Sequence, residues 1–365
     1  MNIPFVDLKI QYQSIKPEID AVFESILTQA RFVGGPQITE FENAFADYIC
    51  ADHCIACANG TDALEIALLA LGIGAGDEVI VPAMSWISTA ETVTTVGATP
   101  IFADVLPGEF TLDPVEVEKK ITAKTKAIIP VHFYGRSADM GELMIIAKKH
   151  DLKVVEDAAQ AHGAEFSGRR VGTFGDVSAF SFYPSKNLGA YGDAGGILTN
   201  DEKLAKNCRL IADHGQVDKH NHLREGRNSR MDTMQAAVLD VKLKYLDQWT
   251  NARIERAKYY NSYLADLPVE TPHIDDQHRH VFHVYVIQVK DRDMVRQKLN
   301  EKGVQTQIHY PKSLPELIPY QKLFNSDDYP VAKKLGAMGL SLPIYAELTR
   351  EQQDYVIAVL KEELT

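Results

Sequence analysis

The chain reads as an α/β protein built on a largely parallel sheet, followed by a smaller α+β unit. Three observations carry that reading. Between residues 54 and 200, short apolar runs of strand length alternate with segments of helical periodicity. The runs are apolar enough to suit strands covered on both faces, as parallel strands with helical crossovers are. Near Asp232 the alternation ends in a long helical stretch, residues 232–267, that contains neither glycine nor proline. Such a stretch commonly links two units.

The elements follow in order. Residues 54–58 ("CIACA") predict a strand, and 62–72 a helix with apolar residues at i, i+3 and i+4. Residues 77–83 are a strand and 88–97 a helix. Residues 99–105 are a strand, and a polar helix follows near 113–121. Residues 125–131 are a strand, 139–150 a helix and 152–158 a strand. Two further strands, 176–183 and 195–200, are separated by a glycine-rich turn that carries Lys186. Beyond the long helical stretch, 280–289 is a strand, 293–303 a helix, 304–310 a strand and 349–364 a closing helix. This organisation predicts a large domain over 1–248, with an N-terminal arm, and a small domain over 249–365.

Bulk composition narrows the function. The chain has 365 residues, a net charge of −12 and 45 % hydrophobic residues. An acidic balance argues against nonspecific nucleic-acid binding, which needs a basic surface. No apolar run approaches a membrane span. The first residues lack a basic segment followed by an apolar one, so the expectation is a cytoplasmic protein without a signal peptide. Cys50, Cys54 and Cys57 have C-x3-C-x2-C spacing, which also occurs in iron–sulfur enzymes. Here they sit on a predicted strand entering a turn. Alternation along a strand would send Cys54 and Cys57 to opposite faces, so reduced, packed thiols are expected.

In open parallel sheets, ligands sit beyond the carboxyl ends of the strands. After the first strand comes "NGTDAL", a turn at a helix N-terminus that suits an anion such as phosphate, or simply a capped helix. Trp86 follows the second strand, as an aromatic platform or a core residue. Asp157 and Gln160 follow "KVVE", and Lys186 follows "DVSAFSFY". Together these supply a phosphate cradle, an aromatic face, a carboxylate and an amine. Pyridoxal phosphate needs that set, because its aldehyde joins a lysine and its ring nitrogen is kept protonated by a carboxylate. Competing motifs fail. "GIGAGDE" leads into a strand rather than a helix, and no P-loop sequence exists. The histidines at 220, 222, 278, 280 and 283 lie in a polar loop and at a strand edge, and no metal is expected there.

The blocks "NGTDAL", "VEDAAQAHGA", "FSFYPSKNLGAYGDAGG", "GRNSRMDTMQAA" and "IHYPKS" resemble the DegT/DnrJ/EryC1/StrS family of sugar aminotransferases. The resemblance runs from Ile3 almost to the end of the chain. It implies fold type I, the aspartate-aminotransferase fold, and pyridoxal phosphate as cofactor. It also implies roles. Lys186 becomes the Schiff-base lysine and proton shuttle, and Asp157 the partner of the ring nitrogen. Gln160 binds the cofactor's 3-oxygen, and Trp86 stacks on the ring. Gly60, Thr61, Asp62 and Ser181 surround the phosphate. Asn228 reaches it from a second subunit, which makes the protein a homodimer with shared sites. Arg230, His309 and Tyr310 match sugar-contacting positions. Ala194 stands where many members carry glycine, and Ser185 where threonine is common. A dehydratase branch carries histidine in place of the lysine, so Lys186 favours amination.

The implied donor is L-glutamate. The implied acceptor is a UDP-linked 3-keto sugar, UDP-2-acetamido-2-deoxy-3-oxo-glucuronate, on the way to bacterial surface polysaccharide (lipopolysaccharide O-antigen). A dTDP-3-oxo-6-deoxyhexose or a 4-keto nucleotide sugar is the alternative. A non-catalytic regulator that binds pyridoxal phosphate is the alternative from another class.

Overall fold

The computed structural model describes residues 1–364. Its centre is a seven-stranded sheet. The strands are β1 His53–Cys57, β2 Glu78–Pro82, β3 Thr99–Ala103, β4 Thr125–Ile128, β5 Lys153–Asp157, β6 Val177–Ser181 and β7 Gly195–Thr199. Their spatial order is β1-β7-β6-β5-β4-β2-β3. The ladders joining β3, β2, β4, β5 and β6 are parallel. β7 runs against both of its neighbours. The physical reason lies in the connection. β6 and β7 are joined by the Lys186 turn alone, with no crossover helix, and a chain that returns directly comes back antiparallel.

Helices cover both faces: α1 Leu8–Gln29, α2 Pro36–Ile49, α3 Gly60–Ala70, α4 Ser88–Thr95, α5 Pro114–Lys120, α6 Met140–His150 and α7 Glu202–Ala212. Strand alternation divides the core between the faces. Cys57, Val79, Val81, Val155, Ala179 and Ile197 pack with α3 and α7. Cys54, Phe180, Phe182 and Leu198 pack with Phe41, Phe45 and Ile49 of α2. Cys54 and Cys57 therefore do part to opposite faces. Both are buried, and burial pushes both thiols above their ordinary range.

Residues 232–267 are not one helix. They form α8 Thr233–Leu243 and α9 Leu246–Leu264, with the break at Lys244 and Tyr245. No proline or glycine causes it. α8 buries Val238 and Val241 against Ile15 and Ile19 of α1. α9 buries Ala257, Tyr260 and Leu264 in a different core, that of the C-terminal unit. With no breaker in the sequence, the packing of the two segments accounts for the bend. The 248/249 boundary lies inside α9.

In the C-terminal unit, β8 Val269–Glu270, β9 Tyr285–Val289 and β10 Gly339–Leu342 form an antiparallel sheet in that order. α10 Arg292–Glu301, α11 Pro330–Met338 and α12 Arg350–Leu364 accompany it. Two expectations are corrected here. Residues 280–284 are not strand; their backbone instead bonds residues 134 and 135, through Val281 N to Gly135 O and His283 N to Tyr134 O. Residues 304–310 form no strand; their backbone makes two isolated bridges, Ile3–Val304 and Gln307–Ser341. That irregular path carries His309 and Tyr310 toward the large sheet. Among the described residues, no helix is long and apolar enough to cross a membrane.

Candidate active site

The carboxyl ends of β1, β2, β5 and β6 open into a cleft of about 730 Å³. Gly60, Thr61, Asp62, Trp86, Asp157, Gln160, Ser181, Lys186, His309 and Tyr310 all line it. Asn228 and Arg230 do not line the cleft of their own chain. Both are exposed, and the Arg230 guanidinium lies 3.4 Å from Asp213.

The floor is the start of α3. Asn59 caps the helix, taking the Asp62 N–H at 2.8 Å, while its carbonyl takes the Ala63 N–H at 3.1 Å. The Gly60 and Thr61 N–H groups are thereby left without an intrahelical acceptor, at the positive end of the helix. A Cβ on Gly60 would lie 2.6 Å from the Ser181 Cβ, so only glycine lets α3 begin against the end of β6. Such a cradle suits a phosphate.

Lys186 follows β6 in a turn held from several sides. Its own N–H bonds Tyr183 O at 2.8 Å, and Ala190 N–H bonds Phe182 O at 2.8 Å. Asn187 donates to Val281 O at 2.9 Å, and the buried Lys242 donates to Gly189 O at 2.7 Å. Gly189 must be glycine, because a Cβ there would meet Pro184 O at 2.3 Å. Burial lowers the Lys186 amine to about 8, with the Asp157 charge opposing.

Asp157 closes β5. Its Oδ2 accepts from Thr89 Oγ1 at 2.8 Å and its Oδ1 from the Ala159 N–H at 3.2 Å. Burial raises its pKa above the ordinary carboxylate value; the Thr89 bond, the Ala159 bond and the charge of Lys186 oppose that rise. Gln160 Oε1 accepts the Tyr134 N–H at 2.8 Å. A backbone N–H can only donate, so the amide's orientation is settled and Nε2 is its available donor. Trp86 is 56 % exposed, with its ring centroid 5.3 Å from that of Tyr310. His309 bonds Ser341 Oγ at 2.8 Å and stacks on Phe5. Burial holds it near 4, so it is neutral at physiological pH.

Other lining residues were not foreseen: Ser85, Ser88, Thr89, Tyr183, Asp193 and His283. Ser85, Ser88 and Thr89 follow the same strand as Trp86, and that position was their one signal. His283, weighed only as a metal ligand, is a half-buried cleft residue whose pKa desolvation holds well below its ordinary value.

An amine of lowered pKa, a buried carboxylate and a helix-terminal anion cradle in one cleft define a class, the pyridoxal-phosphate-dependent enzymes. The residues fit that group: Gly60 and Thr61 would hold the phosphate, Asp157 the ring nitrogen and Lys186 the aldehyde carbon. The match to the DegT/DnrJ/EryC1/StrS aminotransferase family extends over residues 13–361, and the chain belongs to that family. The chain is a sugar aminotransferase of that family and depends on pyridoxal phosphate. A pleiotropic regulatory protein of Geobacillus stearothermophilus is 45 % identical, over 99 % of this chain and 98 % of that one. A dTDP-3-amino-3,4,6-trideoxy-alpha-D-glucose transaminase of Streptomyces venezuelae is 42 % identical, over 99 % and 96 %. A UDP-2-acetamido-2-deoxy-3-oxo-D-glucuronate aminotransferase of Pseudomonas aeruginosa is 41 % identical, over 98 % and 99 %. The crystal structure of S. venezuelae DesV superposes with a TM-score of 0.97 at 42 % identity, covering 100 % of this chain and 98 % of that one.

Proposed function

We propose that the protein moves the amino group of L-glutamate to C-3 of a nucleotide-linked 3-keto sugar, with UDP-2-acetamido-2-deoxy-3-oxo-glucuronate as the acceptor. The observation that carries the reaction type is the convergence of Lys186, Asp157 and Gln160 with the start of α3 in one cleft. Pyridoxal phosphate supplies the aldehyde that takes up an amino group and the ring that draws off electrons. Lys186 holds that aldehyde carbon and moves the proton at the reacting carbon. With its amine lowered to about 8, an appreciable fraction is unprotonated near neutral pH, as a general base requires. Asp157 would hold a positive ring nitrogen, Gln160 Nε2 would donate to the ring oxygen and Trp86 would cover the ring face.

The acceptor is supported by the identity to the glucuronate enzyme and by Arg230. Its exposed guanidinium makes only a 3.4 Å contact with Asp213, and a planar fork suits a uronate carboxylate. A second copy of the chain brings Asn228 and Arg230 to the cleft. In support, both lie outside their own cleft, and the nearby Val217 and Leu223 are exposed apolar side chains. A dTDP-3-oxo-6-deoxyhexose is the second reading, favoured by 42 % identity to the trideoxyglucose transaminase against 41 % to the glucuronate enzyme.

Turnover of the uronate against its 6-hydroxymethyl counterpart and against a dTDP-3-keto-6-deoxy sugar separates them. Preference for the uronate that disappears in Arg230→Ala supports the first reading; equal effects on all acceptors remove the carboxylate role of Arg230. A protein that stays colourless with pyridoxal phosphate overturns amino transfer; one that turns yellow but keeps its colour with glutamate leaves a regulator that binds but does not react.

A further inference from the structure

Asp157 sits in a buried corner, and as a carboxylate it can only accept hydrogen bonds. Its two donors are the Ala159 N–H at 3.2 Å and the Thr89 hydroxyl at 2.8 Å. Thr89 has one hydroxyl hydrogen, and Asp157 takes it. Ser85 Oγ lies 2.7 Å from Thr89 Oγ1. The hydrogen between those two must therefore belong to Ser85. The row of bonds has one direction, from Ser85 to Thr89 to Asp157.

Both hydroxyls are buried, Ser85 at 4 % exposure and Thr89 at 1 %, so bulk water does not stand in for either. Thr89 lies in the first turn of α4 and is β-branched, which restricts its χ1 and fixes where the hydroxyl points. Lys186, His132 and Tyr310 are the charged or titratable groups that interact with Asp157 from other elements. His132 is itself committed: its Nδ1 accepts the Ala138 N–H at 3.1 Å, and its Nε2 bonds Glu156 at 2.9 Å. Neither it nor Lys186 donates a hydrogen bond to the Asp157 carboxylate. Thr89 is its only side-chain donor among the described residues.

We propose that Thr89, aligned by Ser85, is a positioning residue for amino transfer: it orients the Asp157 carboxylate and keeps it ionised toward the cofactor's ring nitrogen. This rests on the reading of Asp157 as the partner of that nitrogen. Without the Thr89 hydrogen bond, Asp157 retains one backbone donor, and burial favours its neutral form. A neutral acid would not hold a positive ring nitrogen.

The test uses holoenzymes of Thr89→Val, Thr89→Ser, Ser85→Ala and Asp157→Asn. Single-turnover rates with L-glutamate are measured together with nitrogen-15 NMR of ring-labelled pyridoxal phosphate. Thr89→Val should slow the glutamate half-reaction about ten- to a hundredfold, the span of one hydrogen bond to a charged group. The ring-nitrogen resonance should move toward the unprotonated position, while the KM for glutamate changes little. Thr89→Ser should recover most of the rate and the resonance, and Ser85→Ala should fall between. If Thr89→Val does not fold, Ser85→Ala carries the comparison, and a wild-type resonance there overturns the proposal. A wild-type rate and resonance in Thr89→Val, with Asp157→Asn impaired, overturn it while sparing the role of Asp157. Wild-type behaviour in Asp157→Asn removes that role and the proposal with it.

Discussion

Replacing Lys186 by methionine should abolish amino transfer and, in the cofactor-free protein, raise stability. The lysine's proton affinity falls from 10.5 to about 8 in the folded chain, chiefly because the amine is buried. At about 1.4 kcal/mol for each tenfold change, that difference amounts to about 3 kcal/mol. The sign follows from proton counting. Between pH 8 and 10.5 the unfolded lysine binds more proton than the folded one, so wild-type stability rises with pH through that window. Below about pH 8 the folded chain bears the whole penalty. Methionine is similar in length and carries no charge, so it removes the penalty. It also removes the ammonium that helps Asp157 stay ionised, which makes 3 kcal/mol the upper figure. The gain should be largest at pH 7 and about 1 kcal/mol smaller at pH 9. Guanidinium unfolding of both cofactor-free proteins, at equal protein concentration and at the two pH values, measures it. Equal or lower stability for the variant, or a gain that ignores pH, refutes the reasoning. Borohydride should trap cofactor on the wild type and none on the variant.

Further outcomes follow from the same geometry. Asp157→Asn should retain the fold but slow both half-reactions strongly; an unchanged rate would remove Asp157 from the ring nitrogen. Gly60→Ala places a Cβ 2.6 Å from Ser181. It should weaken pyridoxal phosphate binding at least tenfold in an absorbance titration, with little loss of secondary structure. Phe182 is fully buried and meets the rings of Phe41 and Phe45 edge-on at 5.3 and 5.1 Å. Phe182→Ala should cost about 3–5 kcal/mol in denaturant unfolding. A cost below 1 kcal/mol would mean that α2 does not brace the strand leading to Lys186.

Much of the large sheet was legible because its signals are local. Strands β1 to β5 alternate with helices, and β1, β2, β5 and β6 end in residues that line the cleft. Gly60, Asp157 and Lys186 were found by asking what lies beyond each strand. The antiparallel return of β7 was less legible, since it depends on what the Lys186 turn omits. α1 and α2 were missed, although Asp7 caps the first, with Lys9 N at 3.0 Å, and Pro36 opens the second. β10 was missed because "GLSL" is short and holds two small residues.

The local order of residues was enough to specify a mostly parallel α/β sheet, the N-terminal cap of α3, and the amine and carboxylate that suit pyridoxal phosphate. Capping, periodicity and strand ends are properties of neighbours in the chain. Tertiary packing alone decided the bend between α8 and α9, the irregular course of residues 304–310 and the row of hydroxyls behind Asp157. Those features join residues far apart in sequence. Thr89 and Asp157 are 68 positions apart, and Lys242 and Gly189 are 53 apart. Their state depends on burial as much as on identity: the same lysine that would hold its proton to 10.5 in water gives it up near 8 here because the fold leaves it less solvated.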